Sequence, residues 1–280
     1  MKYLFVCGVV LSLTACARVS GSPEPAPTPP RRAADSELET ATAPIATRAP
    51  LASAPAETPR ILEEIEVPGD LPAYVIRRRG DASRMRAVFL AGSCTHPETY
   101  LTAFEKEAAD HGDLIALQGD VPCPGPDPKL RKWSTDAERM TKRIDAALRA
   151  AGIERARGLT LIGYSQGAER AEWLSKYDQR KFTKFVLIAS PIVPSPARLS
   201  GARAVVTMAG RGDEREKMSA GARDLRHAKL RALYIELPST QHGQLHDDDG
   251  PLFDQAFSWL ETQDIPHGRA ARVRSKSTDR

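Results

Sequence analysis

The chain has 280 residues and a formal charge of +4, enough for one sizeable α/β domain with appendages, whereas two full domains would be a squeeze. Apolar residues make up 41% and the 22 prolines are unevenly spread, so the folded part is expected in only a portion of the chain. Positive charge gathers at the end, where Arg269, Arg272, Arg274, Lys276 and Arg280 face only Asp279. Residues 266–280 therefore read as a basic solvated tail. No basic stripe with interleaved aromatics runs through the interior, so no nucleic-acid partner is expected.

Lys2 precedes an apolar run from Tyr3 to Leu13, too short to span a bilayer permanently. The run ends in Leu13-Thr14-Ala15-Cys16, which resembles the lipobox of bacterial lipoproteins. That resemblance implies a signal peptide over 1–15, a lipidated Cys16 and a membrane partner through the N-terminal anchor. The implied location is the bacterial cell envelope, periplasmic or surface-exposed. Ala17 stands where an aspartate would favour the inner membrane, so the outer membrane is favoured. From about Ser20 to Arg60 the sequence is rich in Pro, Ala, Thr and Glu without apolar periodicity. Residues 16–60 are thus expected to be a lipidated, disordered tether. Removal of Cys7 and lipidation of Cys16 leave Cys94 and Cys123, either a disulfide in an oxidising compartment or two free buried thiols.

The folded domain is expected over 61–265. Ile61 to Val67 and Leu71 to Arg79, separated by Pro68-Gly69-Asp70, predict an antiparallel hairpin. Short apolar runs then recur at Ala87–Ala91, Leu114–Leu117, Leu159–Ile162, Phe185–Ala189, Ala204–Met208 and Leu233–Leu237. Such runs suit parallel strands buried on both faces. Helical patterns cover Glu98 to Asp110, Thr135 to Ala151, Gln166 to Tyr177, Glu214 to Ala228 and Leu252 to Thr262. This alternation predicts an α/β fold, a doubly wound, mostly parallel sheet with an N-terminal antiparallel hairpin. Ligands of such sheets bind beyond the carboxyl ends of the strands. No insertion is long enough for a large lid.

The strand Leu159–Ile162 runs into Gly163-Tyr164-Ser165-Gln166-Gly167, and a helical pattern follows. A serine between glycines at a strand-to-helix turn is placed as a nucleophile on a tight, strained backbone. A serine hydroxyl needs a base, and the base needs an acid to orient it. Asp213 follows the strand Ala204–Met208, with Glu214 as the fallback acid. His242 follows the strand Leu233–Leu237, with His246 as the alternative. The order serine, acid, histidine is the one this kind of sheet supplies. Oxyanion donors are expected from the backbone N–H of Gln166 and of Ser93, with Cys94 N–H as the alternative to Ser93. Cys94, Tyr164 and Trp133 are expected around the substrate, with core packing as the equal alternative for Trp133; a Cys94–Cys123 bridge would stiffen the loop beside the site. No metal site and no cofactor are expected.

At Gly163–Ala168, Leu90-Ala91-Gly92, Ala209-Gly210-Arg211-Gly212-Asp213 and His242 the chain resembles the acyl-protein thioesterase/carboxylesterase branch of the α/β-hydrolases. The resemblance covers roughly Ala87 to Leu260. It departs where the histidine before glycine is replaced, by Ala91 in one loop and Ala209 in the other. It implies cofactor-free hydrolysis of carboxylic esters or thioesters by a Ser165–His242–Asp213 triad through an acyl-enzyme. The expected partner is a small-molecule or acyl-ester substrate, and the protein is expected to be a monomer. Two other readings use the same residues: a peptidase or amidase, and an inactive envelope binding protein with a hydrolase fold.

Overall fold

The computed structural model describes residues 61–80, 85–153, 158–238 and 241–263. The expectations for the signal peptide, Cys16, the tether and the basic tail lie outside them. The first two strands, β1 (Leu62–Ile65) and β2 (Ala73–Ile76), pair antiparallel as a hairpin. Six strands follow: β3 (Met85–Leu90), β4 (Gly112–Leu117), β7 (Leu159–Tyr164), β8 (Phe182–Ile188), β9 (Ala204–Ala209) and β10 (Arg231–Glu236). Each pairs parallel with its neighbours among these six, and β2 joins the sheet antiparallel to β4. The eight strands lie in the order β1-β2-β4-β3-β7-β8-β9-β10. This is the doubly wound, mostly parallel sheet that the apolar runs predicted.

Helices cover both faces, which is why the central strands are buried along their whole length. On one face α3 (Ala137–Ala150), α4 (Gln166–Tyr177) and α5 (Arg215–His227) contribute Ile144, Leu174 and Leu225 to a core with Val88, Leu161 and Phe185. On the other, α1 (Glu98–Leu101), α2 (Glu105–His111) and α6 (Gly250–Thr262) contribute Leu101, Ala108 and Phe257 to a core with Phe89 and Val186. In α6 the apolar residues Phe253, Ala256, Phe257 and Leu260 recur at helical spacing and are all buried. Full burial of each phenylalanine contributes roughly 1.5–3 kcal/mol.

The helix expected over Glu98 to Asp110 is two short helices. Phe104 leaves helical geometry at φ −147° and stacks on Phe253 with ring centroids 4.0 Å apart. Packing between distant segments outweighs local propensity there. A second difference follows β4, where β5 (Val121–Pro122) and β6 (Arg131–Lys132) form a small antiparallel hairpin. Among the described residues no helical insertion of lid size interrupts the sheet, and no helix is long and apolar enough to cross a membrane.

Candidate active site

β7 ends at Tyr164 and α4 begins at Gln166, so Ser165 alone makes the turn between them. Its φ of 51° places a non-glycine residue in the left-handed region, a strained state that the surroundings must enforce. Both flanking glycines are required by close approach. A methyl at Gly163 would run into the Gly167 backbone, and one at Gly167 into the carbonyls of Leu90 and Ala91. The Ser165 N–H donates to the Ile188 carbonyl at 2.8 Å, which ties the turn to β8.

Asp213 lies just past β9. Its Oδ2 accepts the Gly210 N–H at 2.8 Å, leaving Oδ1 for His242 Nδ1 at 2.6 Å. The Asp213 side chain is 3% exposed and that of His242 50% exposed. His242 Nε2 then lies 3.1 Å from Ser165 Oγ. Three residues from three strand ends thus form one chain of hydrogen bonds. Asp213 beside the ring holds the imidazole pKa above its usual 6.5, against the opposing effect of burial. The alternatives do not enter the chain of bonds. Glu214 pairs with Lys217, and the His246 N–H donates to Asp249.

The loop after β3 faces Ser165: a methyl on Gly92 would come 3.6 Å from Ser165 Cβ and 2.7 Å from Tyr100 Oη. The Cys94 N–H is not available to an oxyanion, because it donates to the Arg131 carbonyl at 2.7 Å. Among the described residues Ser93 N–H has no backbone acceptor, and Gln166 N–H stands at the first position of α4, outside the helix's own ladder. Cys94 and Cys123 form a disulfide with Cα atoms 5.7 Å apart, joining this loop to the hairpin of β5 and β6.

The three residues expected at the substrate have other work. Trp133 is 3% exposed and does not line the site. Its indole N–H donates to the Ala91 carbonyl at 2.7 Å and its backbone N–H to Gln166 Oε1 at 2.8 Å. A buried indole needs such an acceptor, and by finding one at Ala91 it fastens the oxyanion-side loop to the serine turn. Tyr164 is 1% exposed, so its ring packs in the core and offers substrate no surface. The sulfur of Cys94 is likewise committed to its bridge.

The cavity in front of Ser165 has a volume of about 280 Å³ and is walled by Ala189, Ser190, Pro191, Gly212 and Glu214 beside the three bonded residues. Sequence reasoning missed this wall. The segment after β8 is held by Glu172, whose fully buried Oε2 accepts from Arg198 Nε at 2.7 Å and Ser195 N–H at 3.2 Å. Burial pushes the Glu172 carboxyl up to about 7, despite its bonds to Arg198. Only the pattern of a carboxylate on the inner face of α4 signalled it. Among the described residues no cluster of His, Cys, Asp or Glu has the makings of a metal site.

No family model matches the chain, and no curated protein matches its sequence. Its structure is similar to solved structures that share the sheet. An esterase from the hyperthermophilic archaeon Pyrobaculum calidifontis matches with a TM-score of 0.53 at 14% identity, over 73% of this chain and 86% of that one. A predicted CIB-like hydrolase from Thermoplasma acidophilum matches with a TM-score of 0.50 at 16% identity, over 73% and 98%. Est1E from Butyrivibrio proteoclasticus matches with a TM-score of 0.50 at 13% identity, over 73% and 99%. At these identities the likeness defines the fold, which is that of the α/β-hydrolases.

Proposed function

We propose that this chain is a serine hydrolase cleaving carboxylic esters, or thioesters, of small or medium acyl groups. The observation that carries the reading is the unbroken line from Asp213 Oδ1 to His242 Nδ1 and from His242 Nε2 to Ser165 Oγ, at 2.6 and 3.1 Å. Asp213 keeps the imidazole proton on Nδ1, leaving the Nε2 lone pair for the Ser165 hydroxyl. As Ser165 Oγ attacks the acyl carbon, its proton passes to His242, and the imidazolium is stabilised by Asp213. The N–H groups of Gln166 and Ser93 receive the oxyanion; loss of one such donor costs about 10²–10³ in rate. His242 returns the proton to the departing alcohol or thiol. Water, activated by the same imidazole, then releases the acid and frees Ser165.

The size of the cavity supports the restriction to small or medium acyl groups. Its volume is about 280 Å³, so a chain too long for it would leave its far methylenes in water and gain little of the ~0.8 kcal/mol that burial of each supplies. Hydrolysis of p-nitrophenyl esters by the wild type and its loss in a folded Ser165→Ala variant test the proposal. Undiminished turnover by that variant would refute it. A peptide-amide panel run beside the esters separates ester from amide cleavage.

The Leu13-Thr14-Ala15-Cys16 segment supports a lipid anchor on Cys16 and a place in the bacterial cell envelope. Mass spectrometry of the mature N-terminus tests this: lipid on Cys16 is the expected result, and a mature protein beginning elsewhere would overturn it.

A further inference from the structure

We propose that Tyr164 is a positioning residue, one half of a tyrosine brace that holds the histidine loop and the oxyanion-side loop at a fixed spacing across Ser165. The proposal rests on the hydrolase reading above and assigns to the residue before the nucleophile a role that the three bonded residues do not supply.

His242 needs such a support. Its side chain is half exposed and stands on a loop, a setting in which an imidazole has several rotamers open to it. The next residue, Gly243, adopts a φ of +87° and donates its N–H to Tyr164 Oη at 2.8 Å. The Tyr164 ring itself cannot yield, since it is buried at the end of β7 and stacks on Tyr100 with centroids 4.4 Å apart and an interplanar angle of 23°. It also meets the His242 ring at 5.5 Å. One phenol therefore fixes both the backbone beside the base and the space its ring can occupy.

The second tyrosine carries the brace to the other side of the site. Tyr100 Oη donates to Thr95 Oγ1 at 3.2 Å, and Thr95 Oγ1 donates to the Gly92 carbonyl at 3.0 Å. Gly92 precedes Ser93, the remaining candidate donor on that loop. The Gly92 position has no room for a side chain, because a methyl there would meet Tyr100 Oη at 2.7 Å. Burial raises both phenols above their ordinary pKa, so the two rings stay neutral across the range in which His242 titrates. The stack then acts as a spacer of fixed length between general base and oxyanion site, and such a spacer matters because small misplacements of catalytic groups cost large factors in rate.

Tyr164→Phe removes the acceptor of the Gly243 N–H and keeps the ring stack. In a variant whose circular dichroism matches the wild type, kcat for a p-nitrophenyl ester is expected to fall about tenfold with KM within twofold. The acid limb of the pH–rate profile is expected to move down towards the ordinary imidazole value, because a released ring loses part of its bond to Asp213. A purely structural role would leave that limb in place. Unchanged kcat and an unchanged acid limb in the folded variant would overturn the proposal. Amide exchange followed by NMR on the wild type tests the same bond without a substitution. Gly243 N–H is expected to exchange at least tenfold more slowly than in a free peptide of the same sequence, and exchange at the free-peptide rate would overturn the brace. A wild type without turnover would refute the hydrolase reading instead, and the exchange measurement would still decide the brace.

Discussion

Removing the Cys94–Cys123 bridge separates what holds the fold from what arms the site. The bridge closes a segment with a sequence separation of 29. Loop-closure entropy for that length is about 12 cal/mol/K, so opening the bridge costs about 3.6 kcal/mol at 25 °C. For a domain of this size that corresponds to a fall in Tm of roughly 7–14 °C. The effect on turnover should be much smaller, because the oxyanion-side loop keeps three other ties. Trp133 Nε1 still donates to Ala91, Cys94 N–H to Arg131, and Thr95 Oγ1 to Gly92. The assay compares the wild type with the Cys94→Ser/Cys123→Ser double variant, by calorimetry and by ester hydrolysis at 25 °C. The expected outcome is a clearly lower Tm with kcat within about threefold, since the remaining ties preserve near-attack geometry. An unchanged Tm would refute the entropic argument. Loss of turnover in a folded double variant would show that the bridge, and not Trp133, sets the loop.

Asp213→Asn keeps the shape but gives up the charge and the tautomer control, so kcat should drop by about 10⁴ with KM little changed, as measured by steady-state kinetics. In the wild type only the neutral imidazole accepts the serine proton, and Asp213 raises its pKa. The acid limb of kcat/KM should therefore lie above 6.5, and a limb at or below that value would contradict the pairing. His111 sits between Asp254 and Glu261, at 3.0 Å from each. Burial alone would lower its pKa, but the two carboxylates outweigh it and the net shift is upward. Its contribution to stability is full below the unfolded value near 6.5 and is lost as pH rises through the higher folded value. A His111→Gln variant should lose that part of the pH dependence of Tm, while an unaltered pH dependence would remove His111 from the account. Across a series of p-nitrophenyl esters, kcat/KM should rise with acyl length only until the cavity of about 280 Å³ is filled and then level off, because further methylenes find no wall to bury against.

The parallel strands were legible because burial on both faces leaves runs with few polar residues, as at Leu159–Ile162 and Ala204–Met208. Ser165, Asp213 and His242 were legible for a related reason: each follows such a run, and a strand end in this sheet faces the site. What escaped the sequence depends on partners far along the chain. Phe104 breaks a helical pattern to stack on Phe253. Trp133 reads equally well as a pocket wall or a core residue until Ala91 and Gln166 are seen to take its N–H groups. Tyr164 reads as a substrate-side residue of the pentapeptide, and only the fold buries its ring and brings Gly243 to its hydroxyl. One of the two departures from the expected loop motifs, Ala91, has a counterpart in the structure. Ala91 is buried with its carbonyl bonded to Trp133, so that loop is fastened from outside its own sequence.

In the mechanism proposed above, Ser165 is the nucleophile of a working hydrolase. The most direct measurement is tandem mass spectrometry of the purified wild-type protein after treatment with a fluorophosphonate probe. One covalent adduct is expected, on Ser165, formed quickly by the wild type and slowly by His242→Ala. A protein that stays unlabelled, or one labelled at a different residue, would contradict it.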